Sequence, residues 1–340
     1  MKNTFGNNIT ITLFGESHGP YIGAILDGMT PGIPVDEDFI KIKLAQRAPS
    51  TDISTPRKEK DSFQIISGVY EGKTTGTPIA IIIPNEDIDS SSYIKDKNII
   101  RPGHADYTAE CKYHGFQDSR GGGHFSGRLT AALVAAGAIC IKALELKGIY
   151  IGTHILKCGE HSDREFSHDY KNNQILMNDI KYSNEHSFPV LDNKIEEKII
   201  SSISSIAKSG DSIGGILETA ILGVPSGIGE PWFDTVEGML SHAMFSIPAI
   251  KGISFGSGFD FSNLLGSEAN DSPCIYEDKV THKTNHNGGI IGGITDGMPL
   301  IFKCAVKPTP SIKKTQKTIN LKTMENTSLS INGRHDAAII

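Results

Sequence analysis

Residues 126–147 read as a helix that is apolar nearly all round, rich in Ala and Leu and closed by Gly148. A helix without a polar face has to be covered on every side, so this chain needs a fold that buries it. The rest of the pattern says what the cover is. Residues 8–14, 21–26, 62–69 and 78–83 are short β-branched or apolar runs bounded by Gly, Pro and Asp, and predict strands. Residues 213–224, 251–255 and 299–306 do the same. Most of these runs lie too close together for βαβ crossovers, which favours antiparallel sheets packed on buried helices. Further helices are predicted over 36–48, with an acidic start, and over 192–209, with Ile195, Ile199, Ile203 and Ile206 on one stripe. Another spans 234–246, before Pro248. Residues 157–193 are polar and weakly periodic and predict a surface excursion. No repeat or low-complexity linker divides the 340 residues, and 1–340 is read as a single domain.

Charge narrows the function. The net charge of −6 and pI near 6.1 argue against a nucleic-acid-binding surface. No signal peptide opens the chain and no apolar run approaches the ~20 residues of a membrane span. Five scattered cysteines without a CxxC pair fit reduced thiols, so a cytoplasmic protein with neither disulfides nor a structural metal is expected. Of 33 basic residues 26 are lysine and 7 arginine. Arg47, Arg101, Arg120, Arg128 and Arg334 all lie beside Gly, Pro or His in irregular segments. Arginine is the residue whose planar fork grips phosphate or carboxylate in bidentate fashion, so this placement implies a ligand with several negative charges.

The motifs agree. Arg120-Gly-Gly-Gly-His-Phe-Ser-Gly-Arg128 runs bare backbone into the apolar helix and suits an anion at the helix N-terminus. Gly15-Glu-Ser-His-Gly19 ends the first strand with a histidine between glycines, able to titrate near neutrality. A Ser17–His18 nucleophile pair is a rival reading, disfavoured because adjacent strand residues face opposite sides. Arg101-Pro-Gly-His-Ala-Asp-Tyr107 sets His104 beside Arg101 and Asp106. An HxD pair without a third ligand is a poor metal site, and the set better suits protonation of a developing anion. Gly210-Asp-Ser-Ile-Gly-Gly215 lies between a helix and a strand. Thr284-Asn-His-Asn-Gly-Gly-Ile-Ile-Gly-Gly-Ile294, with residues 307–311 after the next strand, could hold a second phosphate-bearing ligand. No Walker loop and no strand-borne GxGxxG is present, which disfavours ATP and a Rossmann dinucleotide. Gly333-Arg-His-Asp336 gathers a cation, an imidazole and a carboxylate.

In this order the segments resemble chorismate synthase, along essentially the whole chain from Phe14 to Asp336. The resemblance implies an α+β β-α-β sandwich, two antiparallel sheets enclosing a layer of long helices, assembled as a homotetramer. It implies an anti 1,4-elimination of phosphate from 5-enolpyruvylshikimate 3-phosphate, giving chorismate for aromatic amino acids, with reduced FMN required. NADPH as the reductant of that flavin, and flavin arriving already reduced, both stay open. His18 matches the histidine that protonates or neutralises the flavin, His104 the acid near the leaving phosphate, and Asp336 the carboxylate assisting ring-proton removal. Ser17, Arg47, Arg101, Arg128 and Arg334 match substrate contacts. His124, Phe125, Ser126, Gly292, Lys307, Pro308, Thr309, Pro310, Ser311 and Arg334 match flavin contacts. The chain departs from the family at His124, where many members carry arginine, and at Gln46-Arg47-Ala48-Pro49, where an arginine cluster is thinned. Asp52 or Ile53 stands near the place of a further arginine, and relatives usually continue past the position of Ile340. A flavin- or phosphate-binding protein without turnover and a phosphotransferase are the alternatives, the second lacking an acidic pair for Mg²⁺.

Overall fold

The computed structural model describes residues 2–48, 61–86, 98–167, 169, 171–331 and 336–340. The chain divides into two compact units. The first comprises Met1–Ala143, Ser209–Asp211 and Pro310–Asp336; the second comprises Leu144–Lys208, Ser212–Thr309 and Ala337–Ile340.

In the first unit five antiparallel strands form one sheet: β1 (Thr4–Gly6), β2 (Thr10–Gly15), β3 (Tyr21–Asp27), β4 (Gln64–Ser67) and β5 (Ile79–Pro84), in the order β1-β2-β3-β5-β4. Alternation decides which side faces inward. Ile79, Ile81 and Ile83 of β5, with Ile22, Ala24 and Leu26 of β3, are all nearly inaccessible. Helix α1 (Glu37–Arg47) lays Ile40 and Leu44, one turn apart, into the same core. It starts where the Asp36 carboxylate accepts the Phe39 N–H at 2.9 Å, a cap worth about 1 kcal/mol. After the short helix α2 (Asp106–Tyr113) comes α3 (Thr130–Glu145), the predicted apolar helix, starting four residues later than expected. Ala131, Ala132, Ala135, Ala136, Ala138 and Ile139 pack in the core with β3 and β5. By length and composition Gly127–Glu145 would suffice to cross a membrane, contrary to the reading that no run approaches that length. Its alanines instead let the sheet approach closely, and it packs as a core helix.

The second unit has its own five-stranded antiparallel sheet: β6 (Tyr150–Cys158), β7 (His161–Ser162), β8 (Gly215–Leu222), β9 (Ile250–Phe255) and β10 (Leu300–Val306), in the order β9-β10-β8-β6-β7. Helices α4 (Gln174–Glu185), α5 (Asn193–Lys208) and α6 (Val236–Met244) belong to it. Residues 157–193 are not a surface excursion. They close β6 and carry α4, whose Leu176 and Ile180 are buried with Phe166 and Ala220, and Val190 is fully buried. Periodicity fails there because buried positions are partly polar. Asp163 accepts the backbone N–H groups of Arg164, Leu191 and Asp192, and Asp179 on α4 pairs with Arg164. Of the stripe predicted on α5, Ile199 and Ile203 are buried.

Candidate active site

The glycine-rich segment before α3 is two short 3-10 turns, Gly123–Phe125 and Gly127–Leu129, and not a helix N-terminus. Several amides are spent inside the segment: Gly123 N–H on Arg120 O, Phe125 N–H on Gly122 O, and Leu129 N–H on Ser126 O. Its glycines serve close approach within the protein. A Cβ on Gly121, at φ +64°, would lie 2.3 Å from His18 Cε1 and 3.0 Å from Ser17 Oγ. Gly123, at φ +53°, would meet the Asp118 carbonyl at 2.2 Å. The segment is therefore the wall against which the His18 turn is packed, and Ser17 N–H donates to Gly123 O at 3.1 Å.

β2 ends at Gly15, so Glu16 to Gly19 form a turn and strand geometry does not govern their side chains. Ser17 Oγ and His18 Nδ1 share a 3.1 Å hydrogen bond, which removes the geometric objection to that pair. His18 is 9% exposed. His124 Nδ1 lies 2.9 Å from Gly15 O. A carbonyl can only accept, so Nδ1 carries the proton of this bond. Phe125 is half-exposed and meets Tyr113 edge-on at 6.0 Å.

Each described arginine of the expected anion site is held by an aspartate. Arg101 donates from Nε and Nη2 to both oxygens of Asp106, at 2.8 and 2.6 Å, and its backbone N–H adds a third bond. His104 Nδ1 lies 3.2 Å from Asp106 Oδ1, close enough for an ion pair though not aligned as a hydrogen bond. Burial alone would raise the Asp106 pKa; the contacts with Arg101 and His104 outweigh it and hold the carboxyl well below its ordinary range. Asp106 thus keeps a negative charge beside His104. Arg120 is spent bidentately on Asp118, at 2.9 and 2.7 Å, so it is no phosphate fork in this arrangement. Arg47 and Arg128 both donate to Asp61.

Asn85 joins these pieces. Its Nδ2 donates to Glu16 O and Gly19 O at 3.0 and 2.8 Å, and its Oδ1 accepts from Arg128 Nε at 2.9 Å. Sequence reasoning missed Asn85 and Asp61. Asp61 precedes β4 and Asn85 follows β5, and their partners lie 14 to 69 residues away.

In the second unit the 284–293 loop is folded round Asp271. That carboxylate accepts Thr284 Oγ1, His286 N–H, Asn287 N–H and Asn287 Nδ2 at 2.7 to 2.8 Å. Burial would raise its pKa, but these donors lower it. Gly292, at φ +65°, turns the ribbon between Ile290–Ile291 and Ile294–Thr295, and a Cβ there would meet nothing within 4 Å. Lys307, Pro308 and Thr309 leave β10 in the same unit, and Pro310 and Ser311 belong to the first. Thr309 O accepts from Ser212 Oγ at 2.7 Å, while Thr309 Oγ1 is buried with no hydrogen-bond partner among the described residues. Asp336 is half-buried in the first unit; Arg334, with its Gly333 and His335 neighbours, lies outside the described residues, as do Asp52 and Ile53.

The sequence model of one family, described as chorismate synthase, matches residues 9–340. The chain is 44% identical to the chorismate synthase of Korarchaeum cryptofilum over 99% of its length and 91% of the relative's. It is 44% identical to that of Dehalococcoides mccartyi strain BAV1, covering 100% and 92%, and 42% identical to that of Thermococcus kodakarensis, covering 98% and 91%. A crystal structure of a chorismate synthase superposes with a TM-score of 0.75 at 31% identity, over 90% of this chain and 85% of that one.

Proposed function

The chain belongs to the chorismate synthase family, and from that premise we propose that it converts 5-enolpyruvylshikimate 3-phosphate into chorismate and phosphate with reduced FMN as cofactor. The observation that carries the reading is a family match running from residue 9 to residue 340, through both units, which supports taking 1–340 as one functional domain. In the reaction the C–O bond to phosphate breaks with its electron pair on phosphate, a ring C–H bond is lost as a proton, and a C=C bond forms. There is no net redox change.

Reduced flavin, when bound, supplies electron density that promotes C–O cleavage and recovers it as the proton leaves. Its proposed contacts are His124, Phe125, Ser126, Gly292, Lys307, Pro308, Thr309, Pro310, Ser311 and Arg334. The unpaired, buried Thr309 hydroxyl and the Lys307 ammonium fit a phosphate-bearing, hydrogen-bonding ligand. His104, kept beside an ionised Asp106, neutralises the departing phosphate and gives it a proton. His18, held in its turn by Ser17 and the Gly121 backbone, offsets negative charge on the reduced ring. Asp336 takes part in removing the ring proton. Ser17, Arg47, Arg101, Arg128 and Arg334 serve the substrate's phosphate and two carboxylates. The chain's own share of catalysis is orientation and charge.

The test is anaerobic turnover of 5-enolpyruvylshikimate 3-phosphate with chemically reduced FMN. Chorismate formation is expected; tight flavin binding without chorismate would overturn the lyase in favour of a flavin-binding homologue, the reading that His124 in place of arginine favours. A parallel arm with NADPH and oxidised FMN shows whether the chain reduces its own cofactor. Assembly as a homotetramer is supported by Trp232, Phe233 and Phe259 of the second unit, which are 78%, 97% and 88% exposed. Light scattering should then return about four times 36.7 kDa. We place the enzyme in the cytoplasm, in keeping with five cysteines that form no disulfide.

A further inference from the structure

The β3–β5 ladder ends where the chain turns toward His18, and a side chain carries it further. Tyr21 opposite Pro84 is the last strand pair, and beyond it the Asn85 N–H donates to Pro20 O at 3.1 Å. The Asn85 amide then takes over, with Nδ2 donating to Gly19 O at 2.8 Å and to Glu16 O at 3.0 Å. Those carbonyls belong to the two ends of one tight turn, closed along its own backbone by Gly19 N–H on Glu16 O at 3.0 Å. Ser17 and His18 are its two central residues. A primary amide offers two N–H donors and one carbonyl, and here all are engaged, the oxygen on Arg128 Nε at 2.9 Å. His18 itself is closely packed: it is 9% exposed, and a Cβ on Gly121 would come within 2.3 Å of its Cε1. Any shift of the turn either presses the ring on that wall or lets it out.

We propose that Asn85 is a positioning residue for His18: its amide pins both ends of the Glu16–Gly19 turn and so sets where the imidazole stands. The proposal rests on the chorismate synthase reading only for what His18 does there. The pin is anchored, because Asn85 directly follows β5, whose Ile79, Ile81 and Ile83 are fully buried. A short exposed turn is mobile by itself and becomes precise when a rigid strand holds it. Removing both donors takes two hydrogen bonds from the turn and should raise the population of its opened form at least ~10-fold.

The test reads His18 directly, as its rate of carbethoxylation by diethyl pyrocarbonate in the flavin-free full chain, followed by peptide mass spectrometry. Asn85→Asp keeps the shape and an acceptor for Arg128 but has no donor for the turn; Asn85→Leu keeps the shape and has neither. In both, His18 should react at least ~10-fold faster than in the wild type. The fully buried His154 of the second unit should not change, which separates a released turn from general loosening. With reduced FMN and 5-enolpyruvylshikimate 3-phosphate, Asn85→Asp should lose at least ~10-fold in kcat while KM moves less than ~3-fold, because the displaced group acts in the reaction. Wild-type reactivity of His18 in either variant, or an equal rise at His154, would overturn the proposal. So would a raised KM with kcat unchanged, which would make Asn85 a support for Arg128 alone. Should both isosteres fail to fold, Asn85→Ser carries the test: one hydroxyl hydrogen cannot serve two carbonyls, and wild-type His18 reactivity there would equally overturn it. Wild-type enzyme without turnover refutes the lyase and leaves the carbethoxylation rates to decide the role of Asn85.

Discussion

Asp61 in the first unit and Glu218 in the second are both buried carboxylates that hold cations, yet they keep different company. Asp61 is shared by two guanidiniums, one of which reaches solvent. Glu218 is fully buried in a cross-strand row, facing His154 of β6 on one side and Lys303 of β10 on the other. His154 directs Nδ1 to Asp163 at 3.2 Å and Nε2 to Glu218 at 3.0 Å, an arrangement that an imidazolium satisfies with two N–H donors. Burial would lower the His154 pKa, but the two carboxylates carry it above its ordinary value. Glu218 also accepts the Phe166 N–H at 2.7 Å, and Lys303 pairs with Glu165 at 2.6 Å. The first carboxylate gathers two guanidiniums, one of them partly in solvent; the second ties β6, β8 and β10 together.

The contrast can be broken in four places. Glu218→Ala strands a buried imidazole and should cost about 3–5 kcal/mol of unfolding free energy in urea. Substrate affinity of the folded protein should not change; unchanged stability would mean that the second cluster is not a strand tie. His104→Ala and Asp336→Asn should do the reverse, losing at least ~10²-fold in rate, or ~2.7 kcal/mol, with flavin binding retained. Near-normal rates in both would move the chemistry elsewhere. For His154 the folded pKa is raised, so its stabilisation is complete below the unfolded value of 6.5 and is lost as pH climbs through the raised value. Thermal scans should show Tm falling on the alkaline side of 6.5, and the slope should shrink in Glu218→Ala. Arg120→Ala removes an ion pair whose arginine is 47% exposed, and a loss of ~0–1 kcal/mol is expected by the same urea assay. A large loss of substrate affinity there would restore Arg120 as an anion fork.

Local signals were the legible ones. The 36–48 helix was readable to within a residue because Asp36 caps it and Ile40 and Leu44 lie one turn apart. The apolar helix was readable as a core element because it has no polar face, but its start was placed at Ser126, where 3-10 turns intervene. The α+β reading with antiparallel sheets agrees with the two five-stranded antiparallel sheets and with the 0.75 TM-score. What could not be read was pairing at a distance. Asp61 meets Arg128 across 67 residues, and Glu218 meets His154 across 64. Neither carboxylate belongs to a glycine motif, and nothing near either one marks it. The segment 157–193 failed for the same reason, since its polar residues are buried by partners that lie elsewhere in the chain.

Asn85 has one orientation that works. Arg128 can only donate and the Glu16 and Gly19 carbonyls can only accept, so the amide oxygen must face the arginine and the nitrogen the histidine turn. A planar amide does not stretch. Any pull on Arg128 is handed to the turn carrying His18 as displacement, and the two would be expected to share one amplitude of thermal motion.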